Sequence, residues 1–316
     1  MPSDLLAGLV VAAYGRQYRI ELENGEILPC CTRGKKSEAV CGDRVRVREE
    51  KTGQARQGVI ESVAERKNLF YRSNAFRQKL IAANVDQVLL VVAAMPAFST
   101  DLLERCRIAA RQQGIESLIL LNKRDLADRL PAARESLASL RETGAVILEI
   151  AAREAEPTAA LLAPYLAGKT TLLAGQSGMG KSTLINALLP WARAATGEIS
   201  TALDSGKHTT TSACLYRLAG STDAGCLIDS PGLQEFGIAH LSLADLEAAF
   251  PEFHPYLGHC RFRNCRHRQE PGCALSAAAS AGALPPARLE LFQRLAEEVR
   301  GGDRGPGIRN QESGIR

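Results

Sequence analysis

The first sixty residues alternate short apolar and polar stretches in a pattern typical of β-strands. Apolar positions recur in short runs at residues 9–11, 18–22, 42–47 and 58–60. Asn24-Gly25 predicts a tight hairpin in which both central residues adopt positive φ. Several short strands at this spacing predict a small β-barrel over residues 1–66. An oligonucleotide-binding (OB) barrel and a generic barrel without a nucleic-acid role both fit the pattern.

From residue 81 onward, continuous apolar runs alternate with helical periodicity. The apolar runs cover residues 85–94, 118–121, 145–150, 170–174 and 226–228. Helical spacing covers residues 102–113, 132–142 and 184–189. Buried strands alternating with helices predict an α/β domain with a mostly parallel sheet over residues 81–240, and we expect residues 67–80 to be a linker.

After residue 240 the strand pattern stops. Residues 243–250 and 286–300 have helical periodicity, so we expect a small α-helical domain over residues 241–300. The Gly-rich, charged residues 301–316 predict a disordered tail.

Composition narrows the class of protein. The chain has 316 residues, of which 45% are hydrophobic, enough for two or three domains. We find no apolar run long enough to span a membrane and no secretory signal at the start, and the nine cysteines are an odd count. These features predict a cytoplasmic protein with reduced thiols. The net charge of +4 permits a nucleic-acid partner without requiring one, and basic residues cluster at 61–80 and 260–270.

A phosphate-binding loop is the strongest chemical signal. Residues 175–182 read GQSGMGKS, match G-x-x-x-x-G-K-[ST], follow an apolar strand and open a helix. Backbone N–H groups of such a loop point at phosphate oxygens, Lys181 reaches the β- and γ-phosphates, and the Ser182 hydroxyl ligates Mg²⁺. The candidate nucleotide-binding residues here are Gly175, Gln176, Ser177, Gly178, Met179, Gly180, Lys181, Ser182 and Thr183.

A guanine-recognition motif precedes that loop. Asn122-Lys123-Arg124-Asp125 follows a strand and has the form N-K-x-D. A buried carboxylate at Asp125 would accept two hydrogen bonds from guanine and would stay unpaired beside adenine. We expect Asn122 to tie loops together and Lys123 to pack over the base.

Two further segments fit a GTPase. Asp229-Ser-Pro-Gly232 resembles D-x-x-G, in which Asp229 holds Mg²⁺ and the Gly232 N–H contacts the γ-phosphate. Residues 206–211, GKHTTT, contain the switch threonine; Thr210 is the candidate, although the sequence does not decide among the three threonines. Residues 149–153, EIAAR, stand where a base-contacting loop is expected but match its usual sequence poorly.

The order of these motifs is circularly permuted. Ordinary GTPases place the phosphate loop first, whereas here N-K-x-D precedes it. The same sheet can form from a rejoined chain because stability depends on contacts more than on the position of the termini. The switch region then leads directly into the C-terminal region.

A metal-ligand pattern follows the GTPase motifs. Cys260, Cys265, His267 and Cys273 lie within fourteen positions and suit one structural, tetrahedral Zn²⁺. His254 and His259 are competing ligands.

Together these motifs resemble the ribosome-small-subunit-dependent GTPase family, RsgA, over nearly the whole chain. The resemblance implies an N-terminal OB barrel, a circularly permuted P-loop GTPase domain and a C-terminal zinc domain. It also implies hydrolysis of GTP to GDP, stimulated by the small (30S) ribosomal subunit, during late assembly of that subunit, with rRNA as a partner. We expect a monomer that does not associate with membranes.

The catalytic machinery departs from that of regulatory GTPases. Leu233 occupies the position of their water-orienting glutamine and cannot orient water, so slow intrinsic hydrolysis is expected. In the resembled family His208 looks like a substitute, acting when the ribosome orders its loop; a surface histidine without that role fits equally. The catalytic candidates are His208 and Lys181.

Two other functions fit parts of the sequence. A P-loop kinase or ATPase with a non-ribosomal substrate would share the phosphate loop, but N-K-R-D argues against it. A zinc-containing nucleic-acid-binding protein with a degenerate nucleotide site would not need Lys181, Ser182 and Asp229 intact. The sequence does not give the rRNA contacts, the turnover rate or the trigger for release.

Overall fold

The computed structural model of the chain describes residues 5–33, 39–52, 55–74, 77–189, 212–218 and 224–302. It comprises two compact units. One combines Met1–Tyr71 with Leu80–Glu235, and the other combines Arg72–Lys79 with Phe236–Arg316. No helix in the described part of the chain is long and apolar enough to cross a membrane.

The first unit begins with a closed five-stranded barrel. Its strands are β1 (Leu6–Tyr14), β2 (Gln17–Leu22), β3 (Ile27–Thr32), β4 (Arg44–Thr52) and β5 (Ala55–Val63). They pair in the order β1-β2-β3-β5-β4 and close through β4 back to β1, with β3 and β5 parallel. Alternate residues such as Val10, Ile20 and Val47 fill the interior. This barrel confirms the predicted OB-type fold.

The hairpin between β2 and β3 forms where predicted, but its turn differs from the prediction. Gly25 alone adopts positive φ, at 82°, whereas Asn24 does not. Leu22 and Glu26 close a three-residue loop through the Leu22 N–H to Glu26 carbonyl bond of 2.9 Å. Three-residue hairpin loops need only one left-handed residue, and here glycine supplies it.

A mostly parallel sheet forms the rest of the first unit. Strands β8 (Gln87–Ala93), β9 (Glu116–Asn122), β10 (Val146–Glu149), β11 (Thr170–Ala174) and β13 (Cys226–Asp229) lie in the order β10-β9-β8-β11-β13 and are all parallel. All seven residues of the central strand β8 are buried, which explains the unbroken apolar run that follows Gln87. A two-stranded sheet of β6 (Leu69–Ser73) and β7 (Gln78–Ala83) occupies most of the expected linker.

The barrel and the parallel sheet share hydrogen bonds. Strand β12 (Ala213–Arg217) pairs antiparallel with β13 on one side and with β1 of the barrel on the other. Ala12 and Ala13 face Cys214 and Ala213 in this register. The result is one continuous sheet of eleven strands.

Five helices connect the strands of this unit in its described part. They are α1 (Thr100–Gln112), α2 (Leu130–Ser136), α3 (Ala138–Glu142), α4 (Ala155–Leu166) and α5 (Lys181–Leu188). The single helix predicted over residues 132–142 is two short helices that meet at Leu137. The prediction also missed α4 and β12. Helix α4 holds Pro164 in its last turn, and no residue of β12 is fully buried, so both have weak sequence patterns.

The second unit is α-helical around a cluster of aromatic rings. Its described helices are α6 (Leu243–Ala248), a 3₁₀ turn (Pro251–Phe253), α7 (Ala274–Ser280) and α8 (Pro286–Gly302). The rings of Phe250, Phe253 and Phe292 pack with centroids 4.9–5.6 Å apart. Helix α8 ends two residues later than predicted, and residues 303–316, where we expected a disordered tail, lie outside the described residues.

Candidate nucleotide and metal sites

A cavity of about 450 Å³ opens where β9 and β11 end. Parallel strands present their carboxyl ends at one edge of a sheet, and ligands of α/β folds bind there. The cavity is lined by Asn122, Lys123, Asp125, Leu126, Ala152, Arg153, Ser177, Gly178, Gly180, Lys181, Ser182, Thr183, Gly232 and Gln234. The two loops predicted to surround one nucleotide, residues 122–125 and 175–182, therefore line the same cavity.

The phosphate-binding loop connects β11 to α5 with a glycine at the start of the helix. Gly180 adopts a φ of 94°, and a Cβ there would lie 2.3 Å from the side-chain amide of Asn122. Both the backbone conformation and the contact therefore require glycine. The Lys181 ammonium donates to the carbonyls of Gly175 (2.7 Å) and Gln176 (3.0 Å). Burial lowers the pKa of Lys181 below its usual range, while nearby Asp229 opposes that shift.

Asn122 joins three loops around the cavity. Its amide donates to the Met179 carbonyl (2.9 Å), and its Oδ1 accepts from the N–H groups of Lys123 (2.8 Å) and Ala152 (2.9 Å). The side chain is only 2% exposed, so these bonds form away from water. Asn122 therefore links these three loops.

The rest of the N-K-x-D loop faces the cavity. Lys123 has a left-handed backbone with a φ of 63°, and its ammonium donates to the carbonyls of Met95 (2.7 Å) and Gly178 (2.9 Å). The Asp125 side chain is exposed and lines the cavity, in contrast to the buried carboxylate that we expected. Within the described residues it forms no hydrogen bond, so its oxygens can accept bonds from a ligand.

The D-x-x-G segment lies beside the phosphate-binding loop. Asp229 ends β13 next to Leu173 of β11 and is 7% exposed. A Cβ on Gly232 would lie 3.6 Å from the Lys181 ammonium. Leu233 is buried, and its backbone N–H donates to the Gly175 carbonyl (3.1 Å). Its apolar side chain offers no hydrogen-bonding group at this position.

The described residues differ from the predicted set in two ways. The loop after β10 contributes Ala152 and Arg153, which the poor match of EIAAR obscured, although its place after a parallel strand was a usable signal. Four predicted residues do not line the cavity: Gly175, Gln176, Met179 and Asp229. The predicted switch residues His208 and Thr210 lie outside the described residues.

A second group of ligand-type side chains lies in the helical unit. The ligand atoms of Cys260, Cys265, His267 and Cys273 all lie within 4.8 Å of one another. Three thiols and one imidazole at this separation fit the donor set and size of a tetrahedral Zn²⁺ site with no open position. The competing candidate His254 instead contacts the Ala248 carbonyl at 3.1 Å.

Neighbouring groups orient these ligands. His267 Nδ1 lies 3.6 Å from the Cys260 sulfur and 3.5 Å from the Cys273 sulfur, whereas its Nε2 lies 3.3 Å from a Glu247 oxygen on α6. Gln293 of α8 donates to the His267 carbonyl (2.6 Å). A carboxylate on the outer nitrogen of a metal-ligating histidine fixes its tautomer and ring orientation.

Comparison with known proteins places the chain in a family. The RsgA GTPase family model matches residues 63–239. The Small ribosomal subunit biogenesis GTPase RsgA of Burkholderia pseudomallei (strain K96243) is 53% identical over 294 residues, or 92% of each chain. The chain belongs to the RsgA GTPase family. An RsgA of Ralstonia pickettii (strain 12J) is 52% identical over 293 residues, which cover 92% of this chain. An RsgA of Bordetella pertussis is 49% identical over 299 residues, which cover 94% of this chain.

Solved structures agree with the RsgA assignment. The crystal structure of YjeQ from Thermotoga maritima has a TM-score of 0.66 and 30% identity, and covers 94% of this chain and 99% of its own. The crystal structure of YloQ, described as a circularly permuted GTPase, has a TM-score of 0.63 and 26% identity over 96% of this chain and 98% of its own. The predicted family and the permuted α/β GTPase fold are confirmed.

Proposed function

We propose that this RsgA-family chain hydrolyses GTP to GDP and phosphate and acts in the biogenesis of the small (30S) ribosomal subunit. The main support for this proposal is that the N-K-x-D loop and the phosphate-binding loop line the same cavity. The RsgA relatives carry small-subunit biogenesis in their name and share about half of all residues with this chain. A kinase or ATPase would have no use for a carboxylate at Asp125.

The cavity residues support a division of roles. Asp125 and Asn122 face guanine, and Lys123 packs over the base. Backbone N–H groups of the phosphate-binding loop hold the phosphates, and Lys181 exchanges its two carbonyl partners for β- and γ-phosphate oxygens. Ser182 and Asp229 hold Mg²⁺, which neutralises charge on the phosphates, together with Thr210 of the switch. The Gly232 N–H contacts the γ-phosphate, beside the Lys181 ammonium.

Hydrolysis is slow without the ribosomal subunit, in our proposal, because the position directly after Gly232 offers no group that can orient water. Leu233 is buried and apolar where regulatory GTPases carry glutamine. His208 then positions the attacking water once the subunit orders the switch. A His208→Ala protein that kept full subunit-stimulated hydrolysis would remove this role.

The remaining parts of the chain serve attachment in this proposal. One structural Zn²⁺ held by Cys260, Cys265, His267 and Cys273 stabilises the helical unit. The barrel and the basic zinc region bind rRNA, and GTP hydrolysis releases the protein, which acts as a cytoplasmic monomer.

The test is GTP hydrolysis by the purified protein alone, with 30S subunits and with 50S subunits. We expect stimulation by 30S subunits only, and hydrolysis of GTP rather than ATP. Equal stimulation by both subunits would contradict the ribosomal part of the proposal. Preference for ATP would contradict the guanine site and favour a different NTPase.

A further inference from the structure

The zinc cluster presents a short exposed loop between its first two cysteines. The tip loop, defined as residues 261–264, reads Arg-Phe-Arg-Asn, and all four residues are exposed. No other large apolar side chain is exposed in the described part of the helical unit. Arg261 and Arg263 flank this single exposed ring in the chain.

The tip loop is held at both ends. Cys260 and Cys265 flank it and belong to the proposed metal site. The Arg261 N–H donates to the Gly272 carbonyl (3.0 Å), and the Cys265 N–H donates to the Phe262 carbonyl (3.1 Å). Gly272 has a φ of 77°, and a Cβ there would lie 2.9 Å from the Arg261 Cβ, so the two segments pack closely. A loop fixed in this way loses little conformational freedom when it binds a ligand.

Phe262 is arranged as a stacking surface. Its side chain is 43% exposed, and the Arg261 guanidinium carbon stands 5.5 Å from its ring centroid. A cation over one face holds the ring in place and leaves exposed ring surface for a second planar group. Every nucleobase offers such a planar face.

Two arginines close to Phe262 in the chain are available to bind anions. Arg263 and Arg266 are exposed, and neither forms an ion pair with any residue that the structure describes. Arg268 differs, because it binds Glu297 at 2.5 Å. The only acid in residues 260–270 is Glu270, which accepts the backbone N–H groups of Arg266 (3.0 Å) and Arg268 (2.8 Å). The tip loop therefore keeps a net positive charge beside the aromatic ring.

We propose that the tip loop binds single-stranded RNA by stacking Phe262 on one unpaired base while Arg263 and Arg266 contact the adjacent phosphates. The identity of that RNA as ribosomal rests on the proposed function. A single ring among arginines is too small an apolar area for a stable protein interface, whose core is depleted of charge. Bases in an RNA duplex are already stacked on each other, so the partner has an unpaired base.

The test measures binding of the zinc-loaded, full-length protein to three fluorescein-labelled probes. The probes are a twelve-nucleotide single-stranded oligoadenylate, the same length of abasic RNA, and a twelve-base-pair RNA duplex. We expect Phe262→Ala to weaken oligoadenylate binding about tenfold, within the range for loss of one base stack. Binding of the abasic and duplex probes should change less than twofold.

Matched variants separate stacking from size and charge. Phe262→Leu keeps apolar volume without a ring and should resemble Phe262→Ala, whereas Phe262→Trp should retain binding. Arg263→Gln should weaken binding of the oligoadenylate and abasic probes alike and make it less salt-dependent. Leu161→Ala, at a similarly exposed apolar side chain (40%) on α4, should have no effect. Zinc content and unfolding midpoint verify that each variant folds.

The outcomes are distinct. Unchanged oligoadenylate binding by Phe262→Ala, or full binding by Phe262→Leu, would overturn the proposal. Binding of Phe262→Ala to 30S subunits is measured as well. If this variant loses subunit binding but binds all three probes normally, Phe262 makes a protein contact and the proposal is overturned. If subunits fail to stimulate GTP hydrolysis but Phe262→Ala still discriminates between the probes, base stacking stands and the proposed function fails.

Discussion

At the scale of single residues, Asn122 does more than its motif indicates. In the N-K-x-D pattern it is one of three defining residues, and the structure shows it as the buried link between the N-K-x-D loop, the phosphate-binding loop and the loop after β10. The third connection identifies Ala152 and Arg153 as part of the cavity, where the sequence of that loop was uninformative. One buried amide thus fixes the relative positions of three segments far apart in the chain.

Asn122→Ala should destabilise the protein by about 1–3 kcal/mol, because it leaves the Ala152 N–H and the Met179 carbonyl without partners away from water. Denaturant unfolding without nucleotide measures this loss. The control is Arg124→Ala in the same loop, which breaks only an exposed pair with Glu154 and should cost less than about 1 kcal/mol. Similar unfolding midpoints for Asn122→Ala and the unmutated protein would show that the Asn122 hydrogen bonds do not stabilise the fold.

At the scale of elements, the sequence pattern predicted buried strands more accurately than partly exposed ones. Strand β8 is buried throughout and was predicted within two residues of its ends, and β11 was predicted with its bounds unchanged. Strand β12 is only half-buried although β1 of the barrel and β13 flank it in the sheet, and its mixed sequence gave no alternating pattern. Pairing between segments two hundred positions apart leaves no local trace. The sequence predicted the glycine-dependent loops and the metal ligands because their chemistry restricts which residue types can occupy them.

Helix α6 has a role that its sequence did not reveal, since it places Glu247 against the outer nitrogen of His267. Glu247→Ala should lower zinc affinity about 10–100-fold, whereas Glu247→Gln, which can still accept a hydrogen bond through its amide oxygen, should lose less. Competition with a chromogenic chelator measures zinc retention directly. Glu290→Ala, at an exposed glutamate on α8, serves as the control. Equal zinc affinity for all four proteins would show that Glu247 does not support the metal ligand.

At the scale of the whole molecule, exposed arginines occur in both units. Arg44 and Arg46 lie on the outer face of β4 in the barrel, and Arg263 and Arg266 lie around the zinc cluster. None of the four forms an ion pair within the described parts of the chain, so each can neutralise a phosphate. The nucleotide cavity, by contrast, is assembled entirely within the first unit.

Salt should therefore affect subunit-stimulated and intrinsic hydrolysis differently. Four phosphate contacts predict that apparent affinity for 30S subunits falls about 100-fold between 50 and 200 mM salt. Intrinsic GTP hydrolysis, which involves no RNA, should change little over the same range. Hydrolysis rates at increasing subunit concentrations and several salt concentrations give both quantities. A subunit affinity that does not depend on salt would exclude phosphate contacts as the main attachment.

The account depends on one guanine nucleotide binding between residues 122–125 and 175–182. The most direct test is the affinity of the unmutated protein and of Asp125→Ala for GTP and for ATP, each measured by isothermal titration calorimetry. Asp125→Ala should weaken GTP binding at least about 100-fold, since two hydrogen bonds to the base are lost, and should leave ATP binding unchanged. An Asp125→Ala protein that still prefers GTP over ATP by the original ratio would contradict the account.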